Sequence, residues 1–309
     1  MESHVRTAVR WAAYPILLAL TLGAGVTALV RGWDYGRVYS IVIFSGVFGL
    51  AALEAALPLQ DRWRMTWRSF RRDLKYVLSG GLSIGAVNYV FGVVALALAQ
   101  SQHRGPLADA PVIVSLPIAL LVFEALNYAQ HRASHELGGA MGKFLWRSHA
   151  AHHLPDRVYV FMHAANHPIN AVIVRAFVML LPLRLLGVSP ETVLLFNLLN
   201  NFSGIISHSN LDIRAGAFNY LLVGPELHRY HHSANMDEAK NFGATLPLYD
   251  LLFGTFVYRP GVFPERIGVA NPETYPDSND FWKVMRLPLQ GSGPLQGSGE
   301  RALLQPDPR

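Results

Sequence analysis

The chain contains no cysteine, which excludes disulfides, thiolate zinc sites, iron–sulfur clusters and thiolate-ligated haem. Charge is scarce too. Asp, Glu, Lys and Arg make up 15% of 309 residues against 51% hydrophobic, and mean hydropathy is +0.23. That balance is too apolar for an ordinary soluble domain. The net charge of +5 is modest, so the basic residues inform only through their positions. A cleavable leader is not expected: residues 12–30 follow Arg6 and Arg10 but outrun a signal h-region, and read as a span that stays.

What is present is a series of apolar runs. Residues 11–30, 38–57, 76–99 and 111–129 each approach the ~20 residues that cross a bilayer as a helix. A further pair, 169–186 and 190–207, is joined by G-V-S-P and could cross and return or only dip into the bilayer. The pattern predicts an all-α, polytopic membrane bundle of four to six helices. Gly80, Gly81, Gly85 and Gly92 in the third run suit close helix packing in a membrane. Between the second and third runs, residues 61–75 carry Arg62, Arg64, Arg68, Arg71, Arg72 and Lys75 with interleaved tryptophans. Nucleic acid is the poorer reading there; between two spans this is a cytoplasmic loop at the headgroups. The N-terminus is then inside and the fourth helix returns inward. Residues 289–299 repeat P-L-Q-G-S-G, so 261–309 reads as a largely disordered tail. The layout is a membrane part at 1–110, a central region at 111–260, and that tail.

The histidines are clustered: H-R-A-S-H at 131–135, H-A-A-H-H at 149–153, His208, and H-R-Y-H-H at 228–232. Only two of the chain's 13 histidines fall outside 131–232. Residues three and four apart share a helix face, so each cluster presents its imidazoles together. One histidine on an apolar face is usually a packed core residue. Packing gives no reason to repeat H-x-x-H-H twice, and a surface tract would be contiguous. The set reads as a metal site of two ions, since so many nitrogens exceed the needs of one. With the helices oriented by their basic flanks, every cluster lands on the cytoplasmic face.

Several alternatives can be weighed by spacing. His135-Glu136 begins an H-E-x-x-H, but Gly139 stands where a zinc protease needs its second histidine. Bis-histidine haem in a non-catalytic electron carrier is a more serious rival, though it leaves the doubled His152-His153 and His231-His232 without a task. A histidine relay for metal transport would need more ionisable residues in the first three helices.

Five blocks extend the pattern: N-Y-A-Q-H-R-A-S-H-E (127–136), L-W-R-S-H-A-A-H-H (145–153), S-H-S-N-L-D (207–212), G-P-E-L-H-R-Y-H-H (224–232) and N-F-G-A-T-L-P-L-Y-D-L-L-F-G-T-F (241–256). In this order they resemble the fatty acid hydroxylase/sterol desaturase superfamily of integral membrane di-iron enzymes, over roughly residues 110–258. The resemblance implies metal ligands at His131, His135, His149, His152, His153, His208, His228, His231 and His232. It also implies two iron ions that use O2 and external electrons to hydroxylate or desaturate an unactivated C–H bond of a lipid. Sterols, fatty acyl chains and ether lipids are among the family's substrates. The H-E pair and the spacing to His149 are somewhat similar to alkylglycerol monooxygenases, which use a reduced pterin. His167-Pro168 continues as Ile169-Asn170, not as the H-P-G-G of a fused haem domain, so a separate reductase, cytochrome or ferredoxin is expected. The membrane would be a bacterial inner membrane or the endoplasmic reticulum.

One departure matters. Some members carry a further histidine one turn before the position of His208, and here that place is Gly204. A water or His167 would complete the coordination; His163 and His167 could equally stand behind the ligands or line the substrate channel. Asn127 and Asp250 are candidates for orienting imidazoles, and Glu136 is a polar partner of the site or a surface acid beside it.

Overall fold

The computed structural model describes residues 2–99 and 104–290. Helices α1 (Glu2–Arg31) and α2 (Tyr35–Ala56) form a hairpin. Gly32, at φ +64, takes the left-handed turn. Asp34 then caps α2, its carboxylate accepting from the Arg37 backbone N–H at 2.7 Å. Next come α3 (Trp67–Ala99), α4 (Val112–Glu136) and α5 (Gly139–His153). A continuous rod follows, built of α6 (Pro168–Ile173), a π-helical stretch (Val174–Leu180) and α7 (Leu181–Leu186). Helix α8 (Pro190–Ser207) leads to the short α9 (Pro225–His231), α10 (Leu248–Phe253) and α11 (Phe281–Arg286). Among the described residues there is no strand, only an isolated bridge between Ser233 and Ile267.

Among the described residues, five helices are long and apolar enough to cross a membrane: Ser3–Arg31, Tyr35–Ala56, Trp67–Val93, Val112–Glu136 and Pro168–Leu186. The protein is thus all-helical and multi-pass. Large apolar side chains such as Phe44, Leu82 and Tyr89 lie exposed on α2 and α3, as a lipid-facing surface requires.

Helix α8 differs from the others. It packs against α1, α2, α4 and α9, and Leu194, Phe196, Leu198, Phe202, Ile205 and Ile206 are buried. Phe202 meets Tyr14 of α1 edge-on at 5.3 Å, and Phe196 meets Phe123 of α4 at 5.1 Å. The second half of the 169–207 pair is therefore the interior post of the bundle rather than a lipid-facing span. Its asparagines lower its hydropathy; Asn197 and Asn201 satisfy their amides on carbonyls one turn back.

The basic stretch also departs from expectation. Only its first part is loop-like, because α3 begins at Trp67. Arg72 is buried, paired with Asp73 at 2.7 Å and donating to the Tyr159 hydroxyl at 2.7 Å. Arg62, Arg64, Arg71 and Lys75 remain exposed. The glycines of α3 bring no helix close: Gly80, Gly81, Gly85 and Gly92 have nothing within 4 Å of a built Cβ. Close approach occurs instead at Gly25 of α1, where a Cβ would meet Leu195 Cδ2 at 2.6 Å.

Residues 261–290, expected to begin a free tail, are laid against the helices. The Tyr275 hydroxyl accepts from the Trp146 indole at 2.9 Å, Phe281 packs on Tyr76 at 5.0 Å, and Arg147 donates to the Gln290 carbonyl. The remainder of that expected tail, 291–309, lies outside the described residues.

Candidate metal centre

Ser115 and Thr192, near the starts of α4 and α8, meet at 2.6 Å and Phe123 packs on Phe196 further along, so the two helices run the same way and carry His131 and His135, and His208, at their far ends. Helix α5 presents His149, His152 and His153 from one face, and α9 presents His228 and His231, with His232 at its cap. All nine histidines that the family resemblance implied as ligands converge, in two adjoining groups. His131, His135, His149, His153 and His231 form the first; His152, His208, His228 and His232 form the second. Within each group one nitrogen per ring lies within 4.8 Å of all the others. The groups touch where the His153 and His232 rings stack at 4.5 Å.

The Nε2 atoms face one another at hydrogen-bond distance: His131–His149 at 3.0 Å, His149–His153 at 2.9 Å and His153–His231 at 3.1 Å in the first group. In the second, His152–His208, His208–His228 and His228–His232 are each 3.0 Å apart. Such a ring of imidazoles cannot satisfy itself with protons alone. Three carry their Nδ1–H elsewhere: His131 donates to the Phe242 carbonyl at 2.8 Å, His208 to Gly204 at 2.6 Å and His231 to Lys240 at 3.0 Å. That fixes Nε2 as the lone-pair nitrogen pointing inward. Both nitrogens of His135 are buried without a protein partner. Burial, reinforced by the neighbouring rings, holds His149, His153, His208, His228, His231 and His232 well below the usual imidazole range, and His152 at about 3. Neutral, converging, unsatisfied nitrogens are the donor set that a transition-metal ion fits.

The supporting contacts lie largely outside the predicted residues. Neither Asn127 nor Asp250 touches an imidazole. Asn127 donates to the Phe242 carbonyl at 3.3 Å, and Asp250 accepts from the backbone N–H groups of Phe242 and Gly243, both at 2.8 Å. They hold the loop whose carbonyls aim His131 and His231. Asn241, at φ +59, lets those carbonyls turn toward the site. Glu124 takes the next three backbone N–H groups, of Ala244, Thr245 and Leu246, at 2.6, 2.8 and 2.9 Å. Glu54 accepts from Val160 at 2.9 Å and Asn210 at 2.6 Å, tying two more loops to the cluster. Sequence reasoning missed both acids, though a lone carboxylate in an apolar helix was the available signal. Glu136 bridges Arg132 at 2.7 Å and Lys240 at 2.6 Å, and so braces the same loop. His167 is not among the converging rings: its Nδ1 caps α6 at Ile169, and Nε2 meets the Met285 carbonyl at 3.1 Å.

A cavity of about 170 Å³ reaches the rings from the bundle side, between α4, α6 and α8. Beside His131, His149, His152, His208 and His228, its wall carries the carboxamides of Asn127, Gln130, Asn166, Asn170 and Asn200. The Asn170 side-chain oxygen is buried without a partner.

Residues 116–255 match the fatty acid hydroxylase family. The chain is 30% identical over 277 residues to the ornithine lipid hydroxylase OlsE of Rhizobium tropici, an alignment that covers 87% of this chain and 82% of the relative. No solved structure matches it.

Proposed function

This oxidoreductase belongs to the fatty acid hydroxylase family, and on that premise we propose that it is a di-iron oxygenase that hydroxylates a polar membrane lipid of the ornithine lipid kind. The observation that carries this reading is the pair of adjoining groups of five and four buried imidazoles. The nine histidines would serve as the iron ligands, within a catalytic region at 111–260 on a membrane part at 1–110. When bound, the irons supply reduction of O2 by two external electrons and two protons, so that one oxygen atom enters a C–H bond and the other leaves as water.

The chain itself positions and excludes. Phe242 and Lys240 lock His131 and His231 in one tautomer, and burial keeps the other rings neutral and able to ligate. Apolar helices on the outer side keep bulk water from the reacting carbon. The carboxamide-lined cavity favours a carbon close to a polar headgroup or amide linkage, since a mid-chain methylene calls for an apolar groove. Its relative is named for ornithine lipid, an amphiphile of that character. The exposed Arg62, Arg64, Arg71 and Lys75 support a cytoplasmic placement of the histidine end of the bundle. A separate reductase, cytochrome or ferredoxin would deliver the electrons there. A haem carrier fits less well, because neighbouring rings packed 4.3–6.3 Å apart leave no slab for a macrocycle.

The test is purification from membranes, iron counting, and mass spectrometry of ornithine lipid after incubation with O2 and a reducing system. Two irons per chain, a +16 Da product and loss of both in His152→Ala are expected. A Soret band, or two bound irons with no oxidation of any polar lipid, would overturn the proposal.

A further inference from the structure

Gly204 stands one helical turn before His208 on α8, and the space above it is filled by another histidine. A Cβ at 204 would lie 2.5 Å from Cε1 of His163, 3.1 Å from its Nε2 and 3.3 Å from its Nδ1. The imidazole comes from a different element, the 3-10 turn Val160–Ala164. It stands where a side chain on α8 would have to go. Its ring centre is 5.0 Å from that of His208, close to the 4.3 and 4.9 Å that separate His208 from His228 and His152.

The two groups of imidazoles are unequal, five against four, and His163 flanks the smaller one at the cavity wall. It is not one of the four nitrogens gathered within 4.8 Å. Yet no protein group among the described residues hydrogen-bonds its ring; the side-chain bond at this residue goes to its backbone carbonyl, which accepts from Asn166 at 2.9 Å. His167, the other histidine of the segment, has both ring nitrogens engaged. The turn itself is fixed from below. Glu54 holds the Val160 N–H, and Met162 and Ala165 are fully buried.

We propose that His163 is the fifth nitrogen ligand of the smaller group, supplied across space to the place that Gly204 leaves open on α8. The proposal rests on the di-iron reading, and its test separates the two. Full-length protein in micelles is reconstituted with ferrous iron, and the irons are counted and their Mössbauer spectra recorded for the native chain, His163→Ala, and His163→Ala combined with Gly204→His. The native chain should hold two irons. His163→Ala should keep the first and bind the second at least ~10-fold more weakly. The combined variant moves the imidazole onto α8, where the space is now clear, and should regain the second iron. Two irons with native affinity and spectra in His163→Ala would overturn the assignment. So would loss of both irons, or a combined variant that stays at one, since either leaves His163 a packing role. A native chain that binds no iron would instead sink the di-iron reading.

Discussion

Asp250 is linked to the histidines by two hydrogen bonds, one on each side of the Phe242 backbone. It accepts from Phe242, Gly243 and the Thr255 hydroxyl at 2.8, 2.8 and 2.7 Å, and the Phe242 carbonyl in turn fixes the His131 tautomer. Asp250→Ala strands the two buried backbone donors of Phe242 and Gly243, each worth about 1–3 kcal/mol when left unpaired, while the Thr255 hydroxyl keeps the Tyr128 hydroxyl at 3.0 Å. The variant should bind iron roughly 10–100-fold more weakly and melt at a lower temperature. Chelator competition and thermal unfolding in detergent would check both; unchanged iron affinity would show that the carbonyl does not set the tautomer. Glu124, which holds the following three N–H groups, is tested by Glu124→Gln. Its amide can accept through only one oxygen, so loss of stability is expected with the histidines themselves intact. Eight of the nine ligating candidates were legible from spacing, because three- and four-residue repeats fix a helix face whatever lies around it; His208 stands alone in the sequence and was named only by the family resemblance. The residues that aim them were not, because a carbonyl's direction depends on local φ, here the left-handed Asn241, and on acids from helices more than a hundred residues away.

At the level of elements, the apolar runs announced the helices but not their surroundings. A run of leucine and phenylalanine buries equally well in lipid and in protein, so the sequence could not tell that α8 is the interior post while α2 and α3 face outward. Three asparagines within α8 were the available clue. The basic stretch misled in the opposite way: Arg72 looked like its neighbours until Asp73 and Tyr159 closed around it. Interior packing of α8 has a direct test at Gly25. There α1 passes so close that a Cβ would stand 2.6 Å from Leu195 and 2.9 Å from Leu198. Gly25→Leu should force the helices apart and cost about 1–3 kcal/mol, read as a lowered melting temperature. Gly85→Leu on α3, where nothing lies within 4 Å, should leave it unchanged. Equal effects at the two positions would contradict the placement of α8.

On the scale of the whole molecule, the metal centre is the point at which α4, α5, α8 and α9 meet, and nothing covalent joins them there. Bound metal should therefore act as the keystone: a ligand held only by the folded state adds about 4 kcal/mol when present at 1,000 times its dissociation constant. Its removal by a chelator should lower the melting temperature and expose a pH dependence that the loaded protein lacks. Burial holds His149, His152, His153, His163, His208, His228, His231 and His232 below the usual 6.5, with His152 at about 3 and His163 at about 4. As pH falls below 6.5 the unfolded chain takes up protons that the folded chain refuses. Stability must then fall with pH, by up to about 1.4 kcal/mol per unit for each such ring. Asp250, whose carboxyl burial pushes upward, opposes this trend, but the buried imidazoles outnumber the buried carboxyls. The demetallated protein should keep a constant melting temperature above ~pH 7 and lose it steeply between pH 6.5 and 5. The iron-loaded protein should hold out to lower pH, because protons must first displace the metal. A demetallated protein that melts at the same temperature across that range would mean the imidazoles are not buried together.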